Sequence, residues 1–215
     1  MSHLRVFVLA VLLLAGAGAA SALSIAAARA LPLGSIVTVE GGVTTYSGAF
    51  ATSTFDQGFA LQDHTGGIYV STAGNPILSV GNKARVTGEL ADDGFGQLVI
   101  KPASLADVDR RHGTRFFAPD RQDTGDIGET TEGLLVEVEG EVTRILNDIP
   151  YGYKVYIDDG SGEVQIFISA ATGINPYRLP FVRVGEEIEV VGLSSQFLAE
   201  YEVMPRFVTD IRHEH

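Results

Sequence analysis

The sequence contains no cysteine, which excludes disulfide staples, thiolate metal sites, cysteine nucleophiles and lipidated cysteine anchors. Stability therefore has to come from the buried core alone. Basic residues are scarce as well: 15 Lys and Arg stand against 27 Asp and Glu, a formal net charge of −12. Such a surface repels polyanions, because loose phosphate-backbone binding needs clustered Lys and Arg. Common catalytic loops are also missing, with no P-loop, no G-x-S-x-G elbow and no H-E-x-x-H pair. A non-catalytic chain without cofactors is the expectation. Charged residues make up 20% against 45% hydrophobic ones, which excludes wholesale disorder. The 25 Gly and 8 Pro follow no short period, so the chain is turn-rich rather than collagen-like.

What is present starts with a targeting pattern. A short lead, Met1 to Arg5, runs into VFVLAVLLLAGAGAA, and Ala20 and Ala22 occupy the small-residue positions of an A-x-A cleavage site. Residues 1–22 are therefore expected to be a signal peptide, with Leu23 the first mature residue; Ala28 and Ala30 offer an alternative end at residue 30. The strongly apolar part, Val6 to Ala15, is shorter than the roughly 20 residues of a spanning helix. No stable membrane span is expected after cleavage, and the mature protein is expected to be secreted, periplasmic or otherwise extracytoplasmic. Removing residues 1–22 takes away Arg5 and leaves 14 basic against 27 acidic residues, a net −13.

The chain repeats itself. GSIVTVEGGVT (Gly34 to Thr44) answers to GLLVEVEGEVT (Gly133 to Thr143), and GFALQDHTGGIYVS (Gly58 to Ser71) answers to GYKVYIDDGSGEVQIFIS (Gly152 to Ser169). SVGNKARVTGEL (Ser79 to Leu90) then answers to RVGEEIEVVGLS (Arg183 to Ser194). The copies share strands and differ in loop length. Val37, Val39 and Val43 alternate to one side, as do Ile68 with Val70 and Val164 with Ile166. Glycine-rich turns bound these runs, which marks half-buried antiparallel strands. Gly41 and Gly140 interrupt a strand at matching places, where a long first strand is expected to bend round a barrel.

The order V-x-V-x-G-x-V-T, G-F-x-L-Q-D-x-T-G-G-I-x-V, V-G-x-x-x-x-V-T-G resembles extracellular bacterial OB-fold domains, of the nucleic-acid-binding kind that accompany secreted nucleases and phosphoesterases. The resemblance covers Leu31 to about Val108 and, less closely, Glu132 to Ile211. It implies an all-β fold of two tandem five-stranded OB-like Greek-key barrels, with little helix outside the signal peptide. The barrels are expected at residues 31–110 and 132–215, joined by a linker at 111–131. The linker carries Phe116 and Phe117, expected to pack on a barrel or between barrels.

Three groups invite a chemical reading. His64 lies beside Asp63, but the second copy has Gly160 at that position, so an exposed turn residue is expected. Asp158 to Glu163 has a partial calcium-loop look; strands flank it and alternate ligands are lacking, so a tight hairpin is expected and no metal site. His213-Glu214-His215 sits at a chain end, where fraying is the rule.

A binding face follows from alternation. With Ile68 and Val70 inward, Tyr69 and Ser71 point outward; in the second copy Gln165 and Phe167 do so, beside Lys154 and Tyr156. OB-folds bind oligonucleotides or oligosaccharides on the face of strands two and three. Tyr69, Tyr156 and Phe167 are candidates to stack on bases or sugars, and Lys154 and Arg144 to meet charge. The expected ligand is single-stranded nucleic acid or an oligosaccharide; the acidity pulls against the first and the resemblance toward it. Two alternatives stand beside this: a module contacting another exported protein or the envelope, and an accessory subunit of an extracellular nuclease or phosphoesterase.

Overall fold

The computed structural model describes residues 21–50 and 54–213. The apolar run of the expected signal peptide and the terminal Glu214 and His215 lie outside the described residues.

A short helix, α1 (Ile25–Arg29), precedes the first sheet. That sheet comprises β1 (Ile36–Val43), β2 (Phe59–Gln62), β3 (Gly67–Val70), β4 (Asn82–Asp92) and β5 (Leu98–Lys101). Its hydrogen-bonded order is β1-β2-β3-β5-β4, and pairing of β1 with β4 closes the circuit. All pairs in the circuit are antiparallel except β3 with β5. One further strand, β6 (Val108–Thr114), pairs with β4 and forms an outer edge.

The second sheet repeats the plan. After the two-residue β7 (Asp120–Arg121), it comprises β8 (Leu135–Asp148), β9 (Gly152–Asp158), β10 (Val164–Ser169), β11 (Glu187–Phe197), β12 (Glu200–Met204) and β13 (Ile211–His213). The order β8-β9-β10-β12-β11 is closed by β8 with β11, and β10 runs parallel to β12. The protein is thus all-β, with two five-stranded barrels of OB-like strand order. Between the third and fourth barrel strands the second copy has only single 3-10 turns, at Ala170–Thr172 and Pro176–Arg178. Proline at the start of the latter suits a helix beginning and prevents continuation of one that precedes it.

The alternation read from sequence fills both barrels. Val37, Val39, Val43, Ile68 and Val70 are buried in the first, and Val164 and Ile166 in the second. Full burial of each such side chain contributes roughly 1.5–3 kcal/mol. The first strands bend where they change partners: Gly42 pairs with Lys83 of β4 and with Gln62 of β2, and Glu141 pairs with Glu187 of β11 and Asp158 of β9. Glycine is needed beside the first crossover, since a Cβ on Gly41 would lie 2.4 Å from the Gln62 carbonyl oxygen.

Helix α1 belongs to the barrel that follows it. Ile25 and Ala28 are wholly buried in the first core, and Leu23 bridges to Val39. The Asp63 carboxylate accepts hydrogen bonds from the N–H of Ile25 at 2.9 Å and of Thr65 at 2.7 Å, while the Thr65 hydroxyl accepts from the N–H of Ala26. Burial opposes the charge on Asp63, yet these donors and the Thr65 hydroxyl outweigh it and hold its carboxyl below the ordinary value. His64, next to it, is exposed. Asp63 therefore spends its carboxylate on holding the helix, not on orienting an imidazole.

Little of the stretch between the barrels is unpaired. β6 continues along β4 to Thr114, and β7 already pairs with β8 of the second barrel. The barrels dock through a core of their own: Ala60, Tyr69 and Val99 from the first pack with Phe167, Leu193 and Met204 from the second. Polar contacts accompany it, from the N–H of Leu135 to Gln62 Oε1 at 2.9 Å and from Ser195 Oγ to Gln97 Oε1 at 3.2 Å. At the other side Arg206, buried and ion-paired to Asp210, donates to the Thr44 carbonyl oxygen at 2.8 Å.

Candidate binding face

In the first barrel the outward side chains of β2 and β3 are already occupied. Tyr69 leaves the barrel interior as expected, but only 3% of it is exposed, because it enters the core between the barrels. Its hydroxyl donates to Asp56 Oδ1 at 2.9 Å, and Ser71, half-buried, donates to Asp56 Oδ2 at 2.8 Å. Burial, reinforced by the Asp56 carboxylate, raises the Tyr69 hydroxyl well above its ordinary value. Expecting Tyr69 to meet a ligand is thus corrected, because the second barrel covers it; Ser71 stays half-exposed with its hydroxyl engaged by Asp56.

The missed signal lies in the strands themselves. Phe59-Ala60-Leu61 and Ile68-Tyr69-Val70 are buried at every position. Strands apolar on both faces are covered on both faces.

The second barrel keeps its corresponding face. Cross-strand register places Arg144 opposite Tyr156, and Tyr156 opposite Gln165, which in turn pairs with Glu202 of β12. The Arg144 guanidinium lies 3.7 Å from the Tyr156 ring centroid, a cation–π contact, and donates to Glu163 Oε1 at 2.6 Å. The Tyr156 hydroxyl donates to Gln165 Oε1 at 2.8 Å, and Gln165 Nε2 donates to Glu202 Oε2. The next row holds Leu146, Lys154 and Phe167, with Lys154 Nζ 3.6 Å from Asp148 Oδ2. Five of the sequence candidates therefore share one four-strand face.

Their accessibility grades across it. Arg144 and Leu146 are exposed, Tyr156 and Lys154 half-buried, and Phe167 packs partly into the core between the barrels. Gln165 is buried, so its expected contact with ligand is corrected to a supporting one. It anchors the Tyr156 hydroxyl and so fixes the ring that Arg144 covers. The ladder can offer a fixed guanidinium plane and a ring edge to a flat ligand group. It has no nucleophile–base pair.

Glu202 closes the ladder at the seam. Burial raises its carboxyl to about 7, although Gln165 and the charge of Lys154 act in the opposite direction. A carboxyl raised in the folded state binds its proton in the fold before it does in the unfolded chain. Between about 4.5 and about 7 the native state then holds the extra proton, so stability falls as pH rises through that window. We expect Glu202→Gln to remove this slope and to gain on the order of 3 kcal/mol relative to the parent by pH 8. Urea denaturation from pH 4.5 to 8 checks it; parallel curves for the two proteins exclude the assignment.

The acidic turn after β9 works as structure. Asp159 accepts from the Thr124 N–H at 2.9 Å, the Thr124 hydroxyl at 2.8 Å and the Ser161 N–H at 2.8 Å. The Ser161 hydroxyl is the strongest of the donors that hold its carboxyl far below the ordinary range, against the opposing effect of desolvation. Asp159 thereby fixes the segment entering the second barrel to the β9–β10 hairpin.

No family model matches the chain, and no curated protein matches it. Among solved structures, a murine DNA-binding protein bound to double-stranded DNA aligns at 12% identity, over 78% of this chain and 90% of its own, with a TM-score of 0.42. Fission yeast Pot1 with single-stranded DNA aligns at 12% identity over 90% and 87%, TM-score 0.39. The ygiW protein of E. coli aligns at 18% identity over 42% and 90%, TM-score 0.33. These likenesses are too distant to carry an argument, and the OB-like architecture rests on strand order and register.

Proposed function

We propose that the protein is an exported, non-catalytic binding module that holds single-stranded nucleic acid on the outer face of β8, β9 and β10. The observation that carries this reading is the Arg144–Tyr156 stack, buttressed from behind by Gln165 and Glu202. Bases stack on guanidinium planes and on aromatic rings, and a preordered pair loses little freedom on binding. The same face in the first barrel is closed, so the second barrel supplies this contact.

The test is titration of the chain from Leu23 with a labelled oligo-dT at low and moderate salt. Tyr156→Ala is expected to weaken binding about tenfold, in line with the ~1–3 kcal/mol of a stacked base. Unchanged affinity in Tyr156→Ala removes the face from the reading. A specific observation favours a second reading, an oligosaccharide: Arg144 and Lys154 each face a carboxylate, Glu163 and Asp148. A nearly neutral aromatic face suits sugar rings, and salt-insensitive binding to a glycan that Tyr156→Ala abolishes would select it.

A further inference from the structure

We infer that the groove between the barrels around Phe207 binds a small organic anion with a flat apolar body, of the aryl carboxylate or sulfonate kind. This site shares no residue with the β8–β10 face and holds whatever that face binds.

The docking of the barrels builds the groove. Tyr46, in the loop after β1, packs its ring 5.5 Å from that of Phe207, which follows β12. The space beside them measures about 610 Å3, and Ile174 and Leu179 line it from the connection between β10 and β11. Small-molecule sites commonly enclose roughly 300–1,000 Å3 and form preferentially where domains meet.

The aromatic wall is held in place. Arg206 donates from Nε and Nη2 to Asp210 at 2.9 and 3.0 Å, and from Nη1 to the Thr44 carbonyl oxygen at 2.8 Å. The same guanidinium lies 5.5 Å from the centroid of the Phe207 ring. Phe207 is thus flanked by Tyr46 and Arg206 and is still 41% exposed, which leaves ring surface to meet a ligand. A preordered ring loses little freedom when a flat group stacks on it.

Charge decides the class of ligand. Asp210 neutralises Arg206, and the residues lining the groove include no Asp or Glu, in a chain that has 27 of them. They do include Arg178, which is exposed and whose guanidinium has no ion pair or hydrogen bond among the described residues. Asn175 also lines the groove. Its Oδ1 accepts from the Tyr177 N–H at 3.0 Å, and its Nδ2 donates to nothing among the described residues. Asn175 caps the 3-10 turn Pro176–Arg178, and residues three apart on such a turn lie to one side. A guanidinium and an amide NH2, both unengaged, therefore stand beside an apolar wall. A neutral or cationic ligand would leave the guanidinium idle, whereas an anion with a flat apolar body uses both surfaces.

The experiment titrates the chain from Leu23 with two fluorescent dyes, anilinonaphthalene sulfonate and its uncharged analogue N-phenylnaphthylamine. The parent is expected to bind the sulfonate saturably. Arg178→Glu is expected to weaken the sulfonate about tenfold, the loss of a charged hydrogen bond, while the neutral dye binds as before. A misfolded variant cannot produce that split, since it changes both dyes together. Thr209→Trp, which fills the groove from an exposed position, is expected to abolish both. Tyr156→Ala is expected to leave both unchanged. Absence of saturable binding by the parent overturns the site, as does binding that survives Thr209→Trp. An equal response of the two dyes to Arg178→Glu marks apolar adsorption only and overturns it too. Loss in Tyr156→Ala moves the dye to the β8–β10 face, with the same consequence.

Discussion

A chain that begins at Leu31 is expected to be less stable than one that begins at Leu23 by on the order of 5 kcal/mol, although it differs by only the short segment containing α1. Two losses combine. Ile25 and Ala28 leave the first core, where both are wholly buried, and removing a buried isoleucine costs roughly 2–5 kcal/mol. Arg29 also leaves Glu132. That carboxylate lies between the barrels with its side chain 1% exposed, ion-paired to Arg29 at 3.1 Å and accepting the N–H of Leu98 at 3.3 Å. Burial raises the Glu132 carboxyl even though Arg29 pulls it down, so the pair is held against a desolvation cost. Removing one member of a buried pair costs about 3–5 kcal/mol, because the other charge stays behind. Urea denaturation of the two chains at one pH is the measurement, and equal midpoints and slopes would falsify the role given to α1. Arg29→Met separates the contributions, since it keeps the helix and removes only the charge. The same comparison bears on processing: cleavage after Ala22 keeps this support, and cleavage after Ala30 discards it.

Replacing Gly133 by alanine is expected to cost roughly 4 kcal/mol and to uncouple the barrels. Gly133 has φ +85, where a side chain is strained, and its Cβ would stand 2.5 Å from the carbonyl carbon of Gly67. The approach is mutual, as a Cβ on Gly67 would stand 2.0 Å from the Gly133 carbonyl oxygen. Two backbones in contact leave nothing flexible to move aside, so the barrels must separate and give up part of the core around Tyr69, Leu193 and Met204. Gly173 provides the control, with φ +71 and open space where the Cβ would go. Gly173→Ala should cost only the backbone strain, about 1 kcal/mol. Thermal unfolding of the parent, Gly133→Ala and Gly173→Ala tests this. The expectation is one transition for the parent and control and two for Gly133→Ala; equal losses in both variants refute the close approach.

Sequence alone determined which way each strand faces. A period of two is a local property, so Val37, Val39, Ile68 and Val70 announce a barrel interior without any knowledge of what lies outside it. The crossover glycines, the turns and the repeat are equally local, and they carry the five-stranded plan twice. The same rule placed Lys154, Tyr156, Gln165 and Phe167 on one face, because register between neighbouring strands follows from alternation and a short hairpin. Arg144 joins them only through the register shift after the buried Val142, which no period of two announces.

Tertiary structure decided which outward faces meet water. Tyr69 and Tyr156 obey the same alternation, yet Tyr69 is buried by the second barrel and Tyr156 carries a guanidinium at its surface. That difference is made by contacts between residues far apart in the chain, such as Gly67 with Gly133 and Gln62 with Leu135. Burial on the second face of a strand depends on what docks there, and no period along one strand encodes its partner.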